Sequence, residues 1–266
     1  MKHARVAYDG AVRSAVAIPE ERVLRFADGR IASFDEVVWL PPVEPRTTFA
    51  LGLNYADHAA ELSFKASEKP LIFLKGPNVF VGHHGSSVCP NGIQQMHPEC
   101  ELGVVIGRTG RHINRDDVFD HVAGYTVAND YALREYLENY YRPNFRVKNR
   151  DGCTPLGPWM VDASDVSDPT SLGLRTLVNG EVVQQGNTRD MIFDIPAIIE
   201  YLSDFMTLSQ GDLILTGTPQ GVRYVKTGDE VVTEIEQVGR LINRIIDETD
   251  GREVNRNGVA SAIRES

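Results

Sequence analysis

Short strand-like segments separated by turns are the feature that most restricts the fold of this chain. Residues 131–141 and 196–206 have the helical spacing of apolar side chains, with Leu133 and Leu137 on one face of the first segment. The main strand-like segments are residues 71–75, 101–106, 125–129, 174–179, 212–216 and 230–235. Many short strands and few helices predict a β-rich α+β fold.

Two Asx-Gly pairs mark tight turns, because these residues adopt the positive φ angles that two-residue hairpins need. Asp28-Gly29 follows one strand-like run, and Asn179-Gly180 lies between two others. A proline cluster at positions 41, 42 and 45 indicates a linker. We therefore predict a small N-terminal β domain at 1–45, a catalytic domain at 46–246 and a polar tail at 247–266.

Composition restricts the possible partners and the compartment. The chain has 266 residues and a net charge of -10, so its surface repels nucleic-acid phosphates. Three cysteines without a CxxC pair argue against a disulfide framework and a structural zinc site. The N-terminus lacks the apolar run of a signal peptide, and no apolar stretch is long enough to span a bilayer. We expect a cytoplasmic protein with neither nucleic-acid nor membrane partners.

Glu99 and Glu101 are the first candidates for a functional site. Side chains alternate along a strand, so both carboxylates would point to one side while Leu102 points into the core. Two such carboxylates repel each other and lose hydration, and a bound cation would relieve both costs. The spacing alone is weak evidence, because roughly five acidic-x-acidic pairs are expected by chance at this composition. Glu234 and Glu236 have the same spacing.

Asp130 stands where a predicted strand ends and the first predicted helix begins. This position suits a helix N-cap, and it equally suits a side chain that projects from the strand end into a site. With Glu99 and Glu101 it would form an all-oxygen ligand set, which suits Mg²⁺, Mn²⁺ or Ca²⁺ rather than zinc. A zinc deaminase site is excluded, because His97-x-Glu99 has no partner Pro-Cys-x-x-Cys.

His58 and Glu61 have the i, i+3 spacing at which side chains meet on one face of a helix. A carboxylate beside an imidazole orients it and raises its basicity, as a general base requires. On spacing alone, a surface ion pair is the more common explanation.

A basic and aromatic stretch follows Asp130. Its members are Arg134, Arg142, Arg146, Lys148 and Arg150, together with Tyr136, Tyr140 and Tyr141. In an acidic protein such a stretch favours the binding of carboxylates, which arginine holds in bidentate fashion. A salt-bridged helix face would explain the same composition, because Glu135 and Glu138 lie within the stretch.

The loop 216–222, with the sequence Thr-Gly-Thr-Pro-Gln-Gly-Val, follows a strand-like run. Its amides and hydroxyls could hold a carboxylate, and a simple turn is the alternative. The loop lacks the Lys-Ser/Thr ending of a phosphate-binding loop.

The order of these motifs resembles the fumarylacetoacetate hydrolase family over residues 47–245. The motifs are Gly-x-Asn-Tyr-x-x-His-x-x-Glu, Phe-Leu-Lys-Gly-Pro, Glu-x-Glu-Leu, Asn-Asp-Tyr-x-x-Arg, Thr-Pro-Leu-Gly-Pro and Gly-Asp-Leu-Ile-x-Thr-Gly-Thr-Pro-x-Gly-Val. Residues 138–148 are most similar to the branch that contains the homoprotocatechuate-pathway decarboxylase/isomerase, specifically to the second half of its duplicated form. Only one copy is present here, so the resemblance implies a homodimer.

The resemblance implies a mixed β-sheet roll and a site with assigned roles. It implies Mg²⁺ or Mn²⁺, with Ca²⁺ as a substitute in crystals, on Glu99, Glu101 and Asp130. It implies that Lys148 lies beside the metal, and that His58 and Glu61 form a catalytic pair on a mobile segment over the substrate. The residues implied around the substrate are Lys75, Arg134, Tyr140, Arg142 and Thr218.

The predicted activity follows from this resemblance and from metal chemistry. A 2-oxo acid would chelate the cation, which would stabilise an enolate as a Lewis acid while Lys148 adds positive charge or moves a proton. We predict decarboxylation of 5-oxopent-3-ene-1,2,5-tricarboxylate, isomerisation of 2-hydroxyhepta-2,4-diene-1,7-dioate, or both, in the degradation of 4-hydroxyphenylacetate.

Two alternatives to this activity remain open. An acylpyruvate hydrolase or an oxaloacetate decarboxylase of the same family would share the enolate, and His58 with Glu61 would then activate water or support proton transfer. A non-catalytic binding protein with this fold is the second alternative. Such a protein would be expected to lack one of the three carboxylates or Lys148, and this chain has all four residues.

Overall fold

The structure is a computed structural model that describes residues 1–61, 68–137 and 144–250, with only the backbone at residues 59 and 60. Its helices are α1 (Ala56–Glu61), α2 (Phe145–Lys148) and α3 (Ile195–Phe205). Strands of the first half are β1 (Lys2–Tyr8), β2 (Ala11–Ile18), β3 (Val23–Phe26), β4 (Ile31–Ser33), β5 (Val38–Leu40), β6 (Thr48–Gly52), β7 (Leu71–Lys75), β8 (Phe80–Val81), β9 (Ser86–Val88), β10 (Met96–His97), β11 (Cys100–Ile106) and β12 (Val122–Asn129). The later strands are β13 (Ala132–Leu133), β14 (Thr154–Asp162), β15 (Gly173–Val178), β16 (Glu181–Asn187), β17 (Leu213–Leu215), β18 (Glu230–Ile235) and β19 (Gly239–Ile246).

A large mixed sheet forms the centre of the molecule, in the order β4-β3-β2-β1-β14-β12-β11-β17-β6-β7. Most neighbours are antiparallel, whereas β17 and β6 are parallel. The N-terminal strands belong to this sheet, because Lys2 of β1 pairs with Val161 of β14. The division into domains at residue 45 stays a prediction.

A second sheet, with the order β16-β15-β18-β19-β9, packs beside the first. Its β15–β16 hairpin turns at Asn179 and Gly180, whose φ angles are 50° and 84°. The other predicted turn, at Asp28-Gly29, joins β3 to β4. Both hairpin predictions are confirmed, and so is the β-rich α+β fold class.

Helix α3 confirms the second helical prediction with a shift of one residue. Asp194 caps its N-terminus, because its carboxylate accepts the amide hydrogen of Ala197 at 2.9 Å. Its apolar face, with Ile198, Ile199 and Leu202, is buried in the main core. The periodic apolar spacing therefore predicted both the helix and its buried face.

The helix predicted from Tyr131 onward is wrong over the described residues. Ala132 and Leu133 form the short strand β13, and residues 134–136 make one 3₁₀ turn. The chain is held in this form because the Arg134 amide donates to the Gln95 carbonyl oxygen at 3.0 Å. Pairing with β10 thus replaces the local hydrogen bonds that a helix would need. Residues 138–141 of the predicted helix lie outside the described part of the chain.

Strands β11 and β12 bring the candidate site together. All seven residues of β11 are buried, and β12 runs antiparallel to it with Cys100 opposite Asn129. The start of β11 therefore lies beside the end of β12. Glu99 and Asp130 flank this pair of residues, so the register alone places their backbones next to each other. No helix among the described residues has the length and apolar character needed to cross a membrane.

Candidate metal centre

Three buried carboxylates meet where β11 begins and β12 ends. Glu99, Glu101 and Asp130 are 6%, 0% and 1% exposed. One oxygen from each lies within 4.8 Å of the other two, which is close enough for a single cation to contact all three. The alternation of the strand explains the geometry, because it places Glu99 and Glu101 on the same side of β11.

Two oxygens of this cluster have no hydrogen-bond partner among the residues that the structure describes. They are Glu101 Oε1 and Asp130 Oδ2, and both are buried. Burial, and then the charges of Asp130 and Glu99, raise the pKa of Glu101 well above its usual range. Unpaired buried carboxylate oxygens are costly, and a hard divalent cation takes oxygen ligands of this kind. The residues present therefore fit a divalent metal.

Two lysines form hydrogen bonds with carboxylates of the cluster. Lys148 Nζ donates to Glu99 Oε2 at 2.5 Å and to the Asp130 carbonyl oxygen at 2.7 Å. It also lies 3.1 Å from Asp130 Oδ2, as an ion pair without hydrogen-bond geometry. Lys75 Nζ donates to Asp130 Oδ1 at 2.5 Å and to the carbonyl oxygen of Lys148. Burial raises the pKa of Glu99, but Lys148 and other nearby cations outweigh it and lower that pKa overall.

Arg134 reaches the cluster from the turn that replaces the predicted helix. Its guanidinium donates to His97 Nε2 at 2.7 Å and to Glu99 Oε1 at 3.3 Å. Burial lowers the pKa of His97 to about 4, so its imidazole is neutral and can accept this hydrogen bond. His97 was not among the predicted site residues, although it has the same i, i+2 spacing from Glu99 that joins Glu99 to Glu101.

His58 and Glu61 form a pair in which the imidazole is buried and the glutamate is exposed. His58 Nδ1 lies 3.2 Å from Glu61 Oε2, and His58 is only 4% exposed. Glu61 also accepts the amide hydrogens of Gly221 and Val222, each at 3.1 Å. Burial raises the pKa of Glu61, but these two amides and His58 lower it overall. Helix α1 is thereby joined to the loop 216–222.

The loop 216–222 lies along the carboxylate cluster. The Gly217 amide donates to Glu101 Oε2 at 2.8 Å. Gly217 has a φ of 88°, and a Cβ atom there would lie 2.8 Å from Asn54 Cβ, so a side chain is excluded at this position. Asn54 holds the start of the loop, because its Nδ2 donates to the Thr216 carbonyl oxygen at 2.8 Å. Thr218 is buried in the same loop.

Most of the predicted site residues lie in one connected network. It contains Glu99, Glu101, Asp130, Lys148, Lys75, Arg134, His58, Glu61 and Thr218. The Lys75 side chain is 0% exposed, and its ammonium group contacts Asp130. Tyr140 and Arg142, predicted to bind substrate, lie outside the described residues.

Part of the basic and aromatic stretch has a structural use. The guanidinium of Arg146 lies 4.0 Å from the centre of the Tyr136 ring, and Arg150 contacts the same ring at 5.5 Å. Glu135 accepts the amide hydrogens of Gln94 and Gln95. These contacts stabilise the turn that carries Arg134, so Arg146 and Arg150 pack on Tyr136 whereas Arg134 contacts the carboxylate cluster.

Comparison with known proteins places this geometry in a protein family. The chain belongs to the fumarylacetoacetate hydrolase family, because the family description "Fumarylacetoacetate (FAA) hydrolase C-terminal" matches residues 47–246. The predicted family and the family-type fold are therefore confirmed.

The individual relatives are named for related reactions. A protein of Salmonella dublin named "4-hydroxyphenylacetate degradation bifunctional isomerase/decarboxylase" is 61% identical over 200 residues, 75% of this chain and 47% of the relative. The chain thus spans about half the length of this relative and of similar ones from Escherichia coli.

Solved structures agree over nearly the whole chain. The 2-hydroxyhepta-2,4-diene-1,7-dioate isomerase from Mycobacterium marinum has 34% identity and a TM-score of 0.82, over 93% of this chain and 99% of the other. The maleylpyruvate hydrolase from Sphingobium sp. SYK-6, in complex with manganese (II) and pyruvate, has 30% identity and a TM-score of 0.78, with the same coverage. The cytoplasmic location and the homodimer stay predictions.

Proposed function

We propose that this chain is a divalent-metal enzyme that decarboxylates 5-oxopent-3-ene-1,2,5-tricarboxylate, isomerises 2-hydroxyhepta-2,4-diene-1,7-dioate, or does both. The observation that carries this proposal is the buried cluster of Glu99, Glu101 and Asp130 beside the Lys148 ammonium group, in which two carboxylate oxygens have no hydrogen-bond partner among the described residues. The names of the relatives support the choice of reaction.

Glu99, Glu101 and Asp130 would hold Mg²⁺ or Mn²⁺. Such an ion supplies Lewis-acid stabilisation of the negative charge that develops on the 2-oxo oxygen of a substrate. Three protein carboxylates leave further coordination positions for the substrate, since these ions take six ligands. The substrate would therefore be a 2-oxo acid, or its enol form, with at least one more carboxylate.

The cationic side chains bind and orient this anionic substrate. Arg134 is 19% exposed on its side chain, so part of its guanidinium remains available for a substrate carboxylate. Lys148 Nζ lies next to the carboxylate cluster and can donate a proton or a hydrogen bond where negative charge develops. Lys75 keeps Asp130 in place through its two contacts.

His58 and Glu61 move a proton in this proposal. Glu61 faces His58 Nδ1, so Nε2 is the ring nitrogen that remains for exchange with the substrate. Loss of carbon dioxide from the tricarboxylate leaves an electron pair that passes along the conjugated chain to the 2-oxo oxygen. Protonation of that oxygen gives the dienedioate, and isomerisation of the dienedioate moves the proton of its enol hydroxyl to a carbon of the conjugated chain.

Hydrolysis of an acylpyruvate is the second candidate. It is favoured by the structural similarity to a maleylpyruvate hydrolase, solved with manganese (II) and pyruvate. In that reaction His58 would remove a proton from an attacking water, and a carbon–carbon bond would break with pyruvate as one product. Oxaloacetate decarboxylation would use the same groups.

Assays with metal removal and restoration test these reactions. The protein, treated with EDTA and reloaded with Mg²⁺ or Mn²⁺, is given the tricarboxylate, the dienedioate, an acylpyruvate and oxaloacetate. We expect turnover of the first two substrates, its loss with EDTA and its recovery with either ion. Turnover of the acylpyruvate or oxaloacetate alone would replace the first candidate by the second.

A matched pair of variants tests the site itself. Glu101→Gln removes one carboxylate of the cluster, and Glu236→Gln removes an exposed carboxylate from a pair with the same sequence spacing. We expect Glu101→Gln to lose Mn²⁺ binding and turnover, and Glu236→Gln to keep both. Equal activity in the two variants would contradict the metal site.

A further inference from the structure

Gln184 of β16 reaches across from the second sheet to the candidate site, although the sequence gives no reason to single it out. It is 3% exposed, and its side-chain amide makes four hydrogen bonds. Its Oε1 accepts from the Cys100 amide at 3.0 Å and from Thr176 Oγ1 at 2.9 Å. Its Nε2 donates to Thr218 Oγ1 and to the Pro219 carbonyl oxygen, both at 2.8 Å.

The orientation of this amide is fixed by backbone groups at both ends. The Cys100 N–H can only donate, so it requires the oxygen of Gln184. The Pro219 carbonyl can only accept, so it requires the nitrogen. A flipped amide would set donor against donor and acceptor against acceptor, which is costly in a buried place.

This fixed orientation determines the role of the Thr218 hydroxyl. Because Thr218 Oγ1 accepts a hydrogen from Gln184 Nε2, its own hydrogen must point elsewhere. Within the described residues, that hydrogen has no acceptor. The preceding Gly217 amide contacts Glu101, so the hydroxyl belongs to the loop that borders the carboxylate cluster.

Gln184 also ties this loop to the strand that carries the carboxylates. The register of β17 with β11 ends at Leu215 opposite Gly103, and one further backbone hydrogen bond follows, from the Thr216 amide to the Leu102 carbonyl oxygen at 3.2 Å. Beyond that point the side chain of Gln184 connects Cys100, which stands between Glu99 and Glu101, to Thr218 and Pro219. The amide thus occupies the place where the backbone pairing has ended.

We propose that Gln184 is a positioning residue that presents the Thr218 hydroxyl as a hydrogen-bond donor to a carboxylate of the substrate. This role rests on the proposed function, since it requires a carboxylate substrate at the site. Gln184 does not touch the substrate in this proposal and acts through Thr218 alone.

A double-mutant cycle on the metal-loaded protein tests the proposal, with Gln184→Met, Thr218→Val and the double variant. The readouts are KM and kcat for the substrate that the wild type turns over, Mn²⁺ affinity and the thermal midpoint. We expect either single change to raise KM roughly tenfold or more, because a hydrogen bond to a charged group is lost. The double variant should be no worse than Thr218→Val, and Mn²⁺ affinity and kcat should change much less than KM.

Two further variants separate positioning from general stability. Gln184→Glu places an acceptor opposite Thr218 and should turn the hydroxyl inward, so KM should rise at least as much as in Gln184→Met. Thr188→Val is the matched control, because Thr188 Oγ1 bridges the Leu172 amide and the Pro169 carbonyl oxygen away from the carboxylates. This control should lower the thermal midpoint and leave KM unchanged.

The outcomes distinguish the two proposals. If the wild type binds Mn²⁺ and turns over substrate, but the two KM effects multiply in the double variant, Gln184 acts independently of Thr218 and the positioning role is wrong. An unchanged KM in Gln184→Met, with a lowered thermal midpoint, would also show that the positioning role is wrong. If the wild type neither binds Mn²⁺ nor turns over substrate, the proposed function fails, and the role of Gln184 fails with it.

Discussion

Two pairs of glutamates in this chain have the same spacing on strands and opposite surroundings. Glu99 lies just before the buried strand β11 and Glu101 within it, whereas Glu234 lies within β18 and the exposed Glu236 just after it. Glu234 lies between two cross-strand arginines: Arg175 Nε contacts it at 2.5 Å and Arg240 Nε at 3.2 Å. Glu101 has Ala128 opposite it on β12, and one of its oxygens is unpaired.

The two pairs differ in the charged side chains that surround them. In the second pair, arginines from neighbouring strands balance the charge of Glu234, and the exposed Glu236 accepts the Gly173 amide hydrogen at 3.1 Å. In the first pair, the cations engage Glu99 and Asp130 and leave an oxygen of Glu101 open. A charge pair becomes a candidate site when the fold buries it and leaves part of it unsatisfied.

The strongest test of this comparison is Glu101→Gln. We expect Mn²⁺ affinity to fall at least about 100-fold, because even the loss of a group that only orients a metal ligand costs 10–100-fold. The metal-free variant should be at least as stable as the wild type, because a neutral amide relieves the crowding of three carboxylates. Calorimetric titration with Mn²⁺ and thermal unfolding without metal measure the two effects. Unchanged affinity would remove the distinction between the two glutamate pairs.

The next largest effect is expected for Lys148→Met. The change removes the ammonium group that contacts Glu99 and Asp130, so kcat should fall about 10²–10⁴-fold if this group moves a proton. Without metal, the thermal midpoint should also fall, because two buried carboxylates lose a partner. Saturating Mn²⁺ should restore most of the lost stability, since binding to the folded state alone stabilises it. A normal kcat would exclude a chemical role for Lys148.

A smaller effect is expected for Glu61→Gln. The neutral amide can still accept the Gly221 and Val222 amide hydrogens, but it no longer places a negative charge beside the His58 ring. We expect kcat to fall about 10²-fold at neutral pH, with Mn²⁺ affinity unchanged. Asp57→Asn is the control, because Asp57 accepts the His58 backbone amide and not the ring. A similar loss in both variants would show that the helix position, and not the charge of Glu61, is what matters.

The smallest effect is expected for Glu234→Gln. Exposed ion pairs contribute little, so the free energy of unfolding should fall by no more than about 1 kcal/mol. Turnover and Mn²⁺ affinity should remain those of the wild type. Denaturant unfolding at low and high salt measures the change, which should shrink as salt screens the arginines. A loss of several kcal/mol would mean that the second pair is as strongly coupled to its surroundings as the first.

The sequence was sufficient where local rules decide the structure. Strand alternation placed Glu99 and Glu101 on one side of β11, and the Asn179-Gly180 pair marked a hairpin. The apolar spacing predicted helix α3 and its buried face. In each case the signal and the structure involve residues that are neighbours along the chain.

The sequence was insufficient where partners are distant along the chain. Residues 131–137 have helical spacing, but pairing of β13 with β10 overrides it. Gln184 lies 84 positions from Cys100, and no spacing rule connects the two. For the same reason the sequence alone does not distinguish the two glutamate pairs, because it does not show cross-strand neighbours such as Arg175.

The sharing of Glu61 between an imidazole and two loop amides has a consequence for the timing of the reaction. One carboxylate contacts both His58 and the loop amides of Gly221 and Val222, so the base of the proposed reaction would be aligned only while the loop is in place. Opening the loop to release a product would therefore disable the base in the same motion. A carbanion that met bulk water through an open loop would be quenched without control of position. In the proposed mechanism, this connection would confine proton transfer to the conformation in which the loop contacts Glu61, and it would thereby protect the regiochemistry of the product.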